Sequence, residues 1–175
     1  MVHFIIPPFI NDDNAFVIKT HHDLIKDIPN IYKLIRYRNK RKHGLYRSII
    51  LDNTNKIVCF APPKSVEIDE TFWDSDCYAE EFIDGTMINL FWDKSISDWN
   101  IATKNCIGGK NHFYNKNKTF RYLFLDSLSD KFDFDRLPKT GLKGYPLCYS
   151  FVIQHKANRI VDKIIENKVY LVEVY

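Results

Sequence analysis

The chain has 175 residues, a net charge of +3 and an apolar content of 45% with 15% aromatics. That length and aromatic load give material for a real core and exclude a disordered chain. The mild positive balance permits an anionic partner without demanding one. The cysteines Cys59, Cys77, Cys106 and Cys148 form no CxxC pair, and His21-His22 is not part of an HxxxH spacing, which argues against a zinc site or a disulfide framework.

The opening MVHFIIPPFINDD is apolar, but Pro7-Pro8 interrupts it. It is too short for a membrane span and lacks the basic start and cleavage site of a signal peptide, so an intracellular protein with no membrane partner is expected. Residues 22–38 place Leu24, Ile25, Ile28, Ile31, Leu34 and Ile35 at helical spacing, with Pro29 dividing two short helices. A basic run follows from Arg36 to Arg47, containing Arg38, Lys40, Arg41 and Lys42, with Tyr32, Tyr37 and Tyr46 among the charges. Aromatics interleaved with cations suit unpaired bases, so this run is a candidate RNA-binding face. A solvated helix end is the plainer reading.

Residues 45–52 and 56–60 form a predicted hairpin around Asn53-Thr54-Asn55, followed by the stiff connection APPKS. Residues 78–83 and 86–93 flank Asp84-Gly85, the signature of a second hairpin with a two-residue turn. A strand over 98–104 and a glycine loop at 107–111 come next. Thr119 caps a predicted helix over 119–130. Strands at 148–154 and 169–175 close the chain. The expectation is one α+β domain over residues 1–175, with mostly antiparallel sheets and flanking helices. Trp73, Trp92 and Trp99 read as core, and His155 as satisfying a backbone group or facing water.

Four blocks in order resemble the adenylation domain of phage-type RNA ligases and the ligase-like proteins of large DNA viruses. YRSIILDNTNKIVCFAPPKS is similar to the family's early hairpin, with an arginine before a strand and a lysine after a bend. EEFIDGTMINLFWD resembles its nucleotidyl-lysine hairpin, WNIATK the strand that ends in lysine, and YSFVIQHKANRIV with VYLVEVY a later pair of blocks. The resemblance covers roughly Tyr46 to Tyr175 and implies the first part of a nucleotidyltransferase domain, using ATP and Mg²⁺ if active. In the family a lysine takes AMP from ATP and passes it to an RNA 5′-phosphate end. Viral origin would put the protein in the cytoplasm of an infected cell.

By that resemblance Arg47, Lys64, Asp84, Gly85, Thr86, Lys104 and Arg159 stand at nucleotide- or phosphate-binding positions. For Arg159 a structural ion pair holding the last strand is the plainer role. The departures are as informative. Phe82 occupies the nucleophile's position and cannot attack phosphorus. Val152 stands where the family has a glutamate, and the family's later Glu-Gly and paired-lysine strands would fall beyond Tyr175, as in a truncated relative. The expectation is therefore a degenerate ligase-like domain that retains nucleotide or RNA-end binding. Adenylyl transfer through a substitute lysine, Lys64 or Lys104, and a non-catalytic RNA- or protein-binding module are the alternatives. No residue is assigned to a metal.

Overall fold

The structure, a computed structural model, describes residues 16–19, 32–37, 47–65, 67, 79–159, 161 and 163–175. It is α+β, with two four-stranded antiparallel sheets and one α-helix among the described residues. The first sheet runs in the order β1 (Phe16–Lys19), β2 (Lys33–Arg36), β3 (Ser48–Leu51) and β4 (Ile57–Phe60). The second contains β5 (Thr86–Asp93), β6 (Asp98–Ala102), β7 (Cys148–Gln154) and β8 (Lys168–Val174), in the order β6-β5-β7-β8. The helix α1 (Phe120–Ser127) lies on the second sheet.

The hairpin at Asn53-Thr54-Asn55 forms as expected, and Asp52 explains why. One Asp52 carboxylate oxygen accepts from the Thr54 amide, the Thr54 hydroxyl and the Lys56 amide, at 2.7–3.0 Å. Those donors close the turn from within, as aspartate does at a loop entry. Thr119 caps α1, its hydroxyl accepting from the Tyr122 amide at 3.2 Å. The helix is shorter than the pattern suggested, because after Ser127 the backbone of Leu128 is extended. Gly108 and Gly109 both take left-handed backbone in the loop before it.

Two expectations fail. Residues 33–36, assigned to a helix by their spacing, form the interior strand β2, hydrogen-bonded to β1 and β3. Leu34 and Ile35 are buried on opposite sides of the sheet, so this short run is apolar on both faces. Such a run carries no period that separates strand from helix. The rest of that helix assignment, apart from Tyr32 and Tyr37, comprises 22–31 and 38 and lies outside the described residues.

The second hairpin does not form either. Residues 79–84 pair with nothing as a strand, and β5 begins at Thr86. The reason is topological: β6 and β7 occupy both edges of β5, leaving no edge for a preceding arm. Gly85 does not adopt a left-handed backbone. It is needed for closeness instead. A Cβ there would sit 2.5 Å from the Ile153 carbonyl oxygen and 2.6 Å from Val152 Cγ1.

Side chains alternate along β5, so one face of the second sheet carries Ile88 and Leu90 and the other Asn89, Phe91 and Asp93. The first face meets α1 in a core of Ile88, Leu90, Trp99, Ile101, Leu123, Phe124 and Phe151. The opposite face meets the first sheet. There Tyr32, Leu34, Ile50 and Cys59 share a core with Phe91, Ala102, Ile107 and Cys148. Tyr32 and Phe91 meet edge to face at 5.6 Å, and the Cys59 and Cys148 sulfurs approach to 3.2 Å. Phe60 packs against Tyr175 at 4.1 Å, which extends the seam to the end of β8.

Candidate functional site

The loop 79–85 leads into the stretch whose sequence resembles a nucleotidyl-lysine hairpin, and it is anchored by the block that follows β7. Gln154 donates to the Asp84 carbonyl at 3.0 Å, and the Val161 amide donates to the Asp84 carboxylate at 3.3 Å. The Asn158 side-chain amide donates to the Thr86 hydroxyl at 3.0 Å. Sequence blocks some 70 residues apart therefore meet around Asp84-Gly85-Thr86. Phe82 projects from this loop at 87% exposure, so the position resembling the nucleophile's carries a solvent-facing hydrocarbon ring.

His155 fixes the turn that presents Asn158. Its Nδ1 accepts from the Ala157 amide at 3.0 Å, which leaves Nε2 as the protonated nitrogen facing Asp126 of α1 at 2.8 Å. That hydrogen bond holds the Asp126 carboxyl below the usual carboxylate range. Asn167 reinforces the corner, donating to Asp126 at 3.3 Å and accepting from the Lys156 amide at 3.0 Å. The expected backbone role of His155 is thus present, while the water-facing alternative is not, since the residue is buried.

A second constellation lies at one end of the first sheet. Arg36 ends β2 and pairs with Ser48, the first residue of β3. Arg47 directly precedes Ser48, and its carbonyl accepts from the Tyr37 amide at 2.9 Å. The chain leaving β4 also runs to this end, with the Ala61 amide donating to the Ser48 carbonyl at 3.0 Å, and Lys64 follows after two prolines. Antiparallel pairing alone thus delivers three cations from three separate segments to one end. Nε of Arg36, Nε of Arg47 and Nζ of Lys64 are all shielded from solvent, and Arg47 Nε has no hydrogen-bond partner. Three cations at one end of a sheet attract anions, which makes this end suited to phosphate.

The other expected site residues are less gathered. Lys104 is exposed in the turn after β6, two residues beyond the strand it was expected to end. Arg159 is exposed and forms no ion pair among the described residues, so the bracing role falls to its neighbour Asn158. Arg38, Lys40, Arg41 and Lys42, with Tyr46 and Trp73, lie outside the described residues. Tyr32 and Tyr37 are buried, which removes them as a surface for bases. Trp99 is core, and Trp92 is half-buried beneath Lys139, whose Nζ sits 3.4 Å from the ring centre.

Residues that sequence reasoning passed over form the polar row between the sheets. Ser150 donates to Asn89 at 2.9 Å, with both side chains buried. Asp93, fully buried, accepts from the Ser95 hydroxyl at 2.5 Å, the Ser95 amide at 2.9 Å and Asn100 at 2.9 Å. Burial pushes the Asp93 carboxyl up, but hydrogen bonds from Ser95, Asn100 and Tyr32 outweigh it and leave its pKa below the ordinary value. Burial and the facing Asp93 raise the Tyr32 hydroxyl in turn. The available signal was a set of polar residues inside otherwise apolar strand sequences.

No group of three or more His, Cys, Asp or Glu side chains gathers to hold a metal among the described residues, and none of their helices is long and apolar enough to cross a membrane. Compared with known proteins, the chain matches no family model, no curated protein and no solved structure.

Proposed function

We propose that this chain is a non-catalytic, RNA-ligase-like domain that binds the phosphates of a nucleotide or of an RNA 5′ end. The observation that carries the reading is that Arg36, Arg47 and Lys64 all stand at one end of the first sheet, each with one side-chain nitrogen shielded from solvent. Such cations bind phosphate by charge-assisted hydrogen bonds, and the binding weakens with salt as counterions are displaced. The bracing of Asp84-Gly85-Thr86 by Gln154, Asn158 and Val161 supports the ligase-like resemblance, because the two blocks it quotes meet in space. Phe82 supports the loss of turnover, since a phenyl ring offers no lone pair to phosphorus.

A second reading, adenylyl transfer through a substitute lysine, is favoured by one observation: Lys64 Nζ is buried. In the resembling family a lysine is the group that takes AMP, so a shielded lysine nitrogen is the candidate to replace it. A single pair of assays separates the two. The protein is first incubated with ATP labelled at the α-phosphate and Mg²⁺, then denatured and examined for bound label. Binding of 5′-phosphorylated and 5′-hydroxyl RNA is then compared by anisotropy. The expected result is no covalent label, tighter binding of the phosphorylated end, and loss of that preference in Arg47→Ala. Label that disappears in Lys64→Ala establishes the second reading instead. Equal binding of both RNA ends overturns the first.

A further inference from the structure

We infer that the loop between β6 and α1 is a second, separate binding surface, which takes single-stranded nucleic acid by base stacking. Between Asp98 and Asp126 the sequence contains no acidic residue, while Lys104, Lys110, Lys116, Lys118 and Arg121 all fall within it. At the tip, Phe113 and Tyr114 are 56% and 69% exposed, which is unusual for adjacent large aromatics on a charged loop. Their rings meet edge to face, with centroids 4.3 Å apart, so each can offer a face outward. Tyr122, on the first turns of α1, is exposed as well and has Lys118 Nζ 5.5 Å from its ring centre.

The base of this loop is fixed, so the tip is presented rather than loose. The Gly108 amide donates to the Ile101 carbonyl at 2.7 Å, Phe120 to Asn111 at 2.9 Å, and Arg121 to Gly109 at 2.9 Å. The Thr103 hydroxyl adds a bond to the Asn111 side chain at 3.1 Å. Gly109 has a φ of +64°, and a Cβ there would come within 2.8 Å of Ile101 Cδ1, so close approach and a left-handed backbone both require glycine. At the tip, the Asn115 carbonyl and side chain accept from the amides of Lys118 and Asn117 at 3.0 and 2.9 Å. This turn fixes the backbone that carries Lys116 and Lys118 just after the aromatic pair in the chain.

Stacking faces on a lysine-rich loop favour unpaired bases with a phosphate backbone over a duplex, whose bases are already stacked. An acidic protein surface would use the lysines but has less use for two ring faces. The surface requires no 5′-phosphate, so it stands apart from the cation cluster of the first sheet.

The test uses fluorescein-labelled, 5′-hydroxyl 12-mers of rU and dT, and a 12-base-pair duplex, with anisotropy measured on the full chain at low salt. The wild type should bind the single strands more tightly than the duplex, with affinity falling about tenfold when Phe113→Ala and Tyr114→Ala are combined. Both side chains are exposed, so the melting temperature should be unchanged. Lys116→Glu, a second exposed substitution, should weaken binding and flatten its salt dependence. Arg47→Ala should leave this binding intact, which keeps the result independent of the 5′-end reading. Equal affinity in the aromatic variant, equal affinity for the duplex, or no binding of either single strand overturns the inference.

Discussion

The two sheets solve the same packing problem differently. The first uses four-residue strands whose residues are apolar on both faces: Leu34 and Ile50 turn toward the second sheet, and Ile35, Ile49 and Leu51 turn away. The second uses strands of up to eight residues with two distinct faces. One face is hydrocarbon beneath α1, and the other mixes Phe91 and Cys148 with Asn89, Asn100, Asp93 and Ser150. A doubly apolar strand is held by its backbone ladder and by burial, and its side chains do little to fix the register. A face with paired polar groups has one correct register, because any other leaves donors or acceptors without partners in a dry interior. The second sheet is therefore the one that defines where the Asp84 loop and the inter-sheet seam must lie.

The largest test of that difference is Phe124→Ala. Phe124 is fully buried and 5.5 Å from the Phe151 ring, in the core between helix and sheet. Its loss should cost about 3–5 kcal/mol in urea unfolding, from transfer and cavity together. Gly85→Ala comes next. The new methyl would meet the Ile153 carbonyl, which cannot move without disturbing the β5–β7 ladder, so about 2–3 kcal/mol is expected in the same assay. An unchanged urea midpoint would show that the loop, and not the sheet, yields.

Tyr32→Phe probes the polar tie between the sheets. It removes the hydroxyl that faces Asp93 while keeping the ring on Phe91, and should cost about 1 kcal/mol. The smallest and most specific effect is on pH. Asp93 has a depressed pKa in the folded state, so its contribution is complete above the unfolded carboxylate value of about 3.9 and is lost as pH falls through the lower folded value. Melting temperature followed from pH 6 to pH 3 should therefore fall less steeply in Asp93→Asn than in the wild type. Parallel curves would mean that Asp93 is not the group whose protonation loosens the seam.

Parts of both sheets and the start of the helix were legible in the sequence. The strand at 148–154, the cap at Thr119 and the turn at Asp52 depend on local chemistry, and local chemistry is what a sequence displays. The errors arose where a neighbour decided. Asp84-Gly85 has the composition of a tight turn, but β5 lies between β6 and β7, and that occupancy is written far away in the chain. Residues 33–36 read as helix because doubly buried strands lack alternation. For the candidate site, Arg47 and Lys64 were found through the ligase-like blocks, and Arg36 as part of a basic run. Their common location depends on strand pairing that no local pattern contains. Phe113 and Tyr114 were passed over because an aromatic pair in a sequence reads as core until its exposure is known.

The contact between Cys59 and Cys148 ties thiol reactivity to separation of the sheets. The two sulfurs come from different sheets, sit at the centre of the seam, and are closed to solvent on every side. Burial also pushes the Cys59 thiol well up, away from the reactive thiolate. A thiol reagent can reach this pair only in molecules whose sheets have parted. The rate of labelling at Cys59 and Cys148, set against the partly accessible Cys106, is therefore a clock for spontaneous separation of the two halves. Measured with and without bound nucleotide or RNA, that clock reports whether the ligand clamps the seam, with no substitution made in the protein.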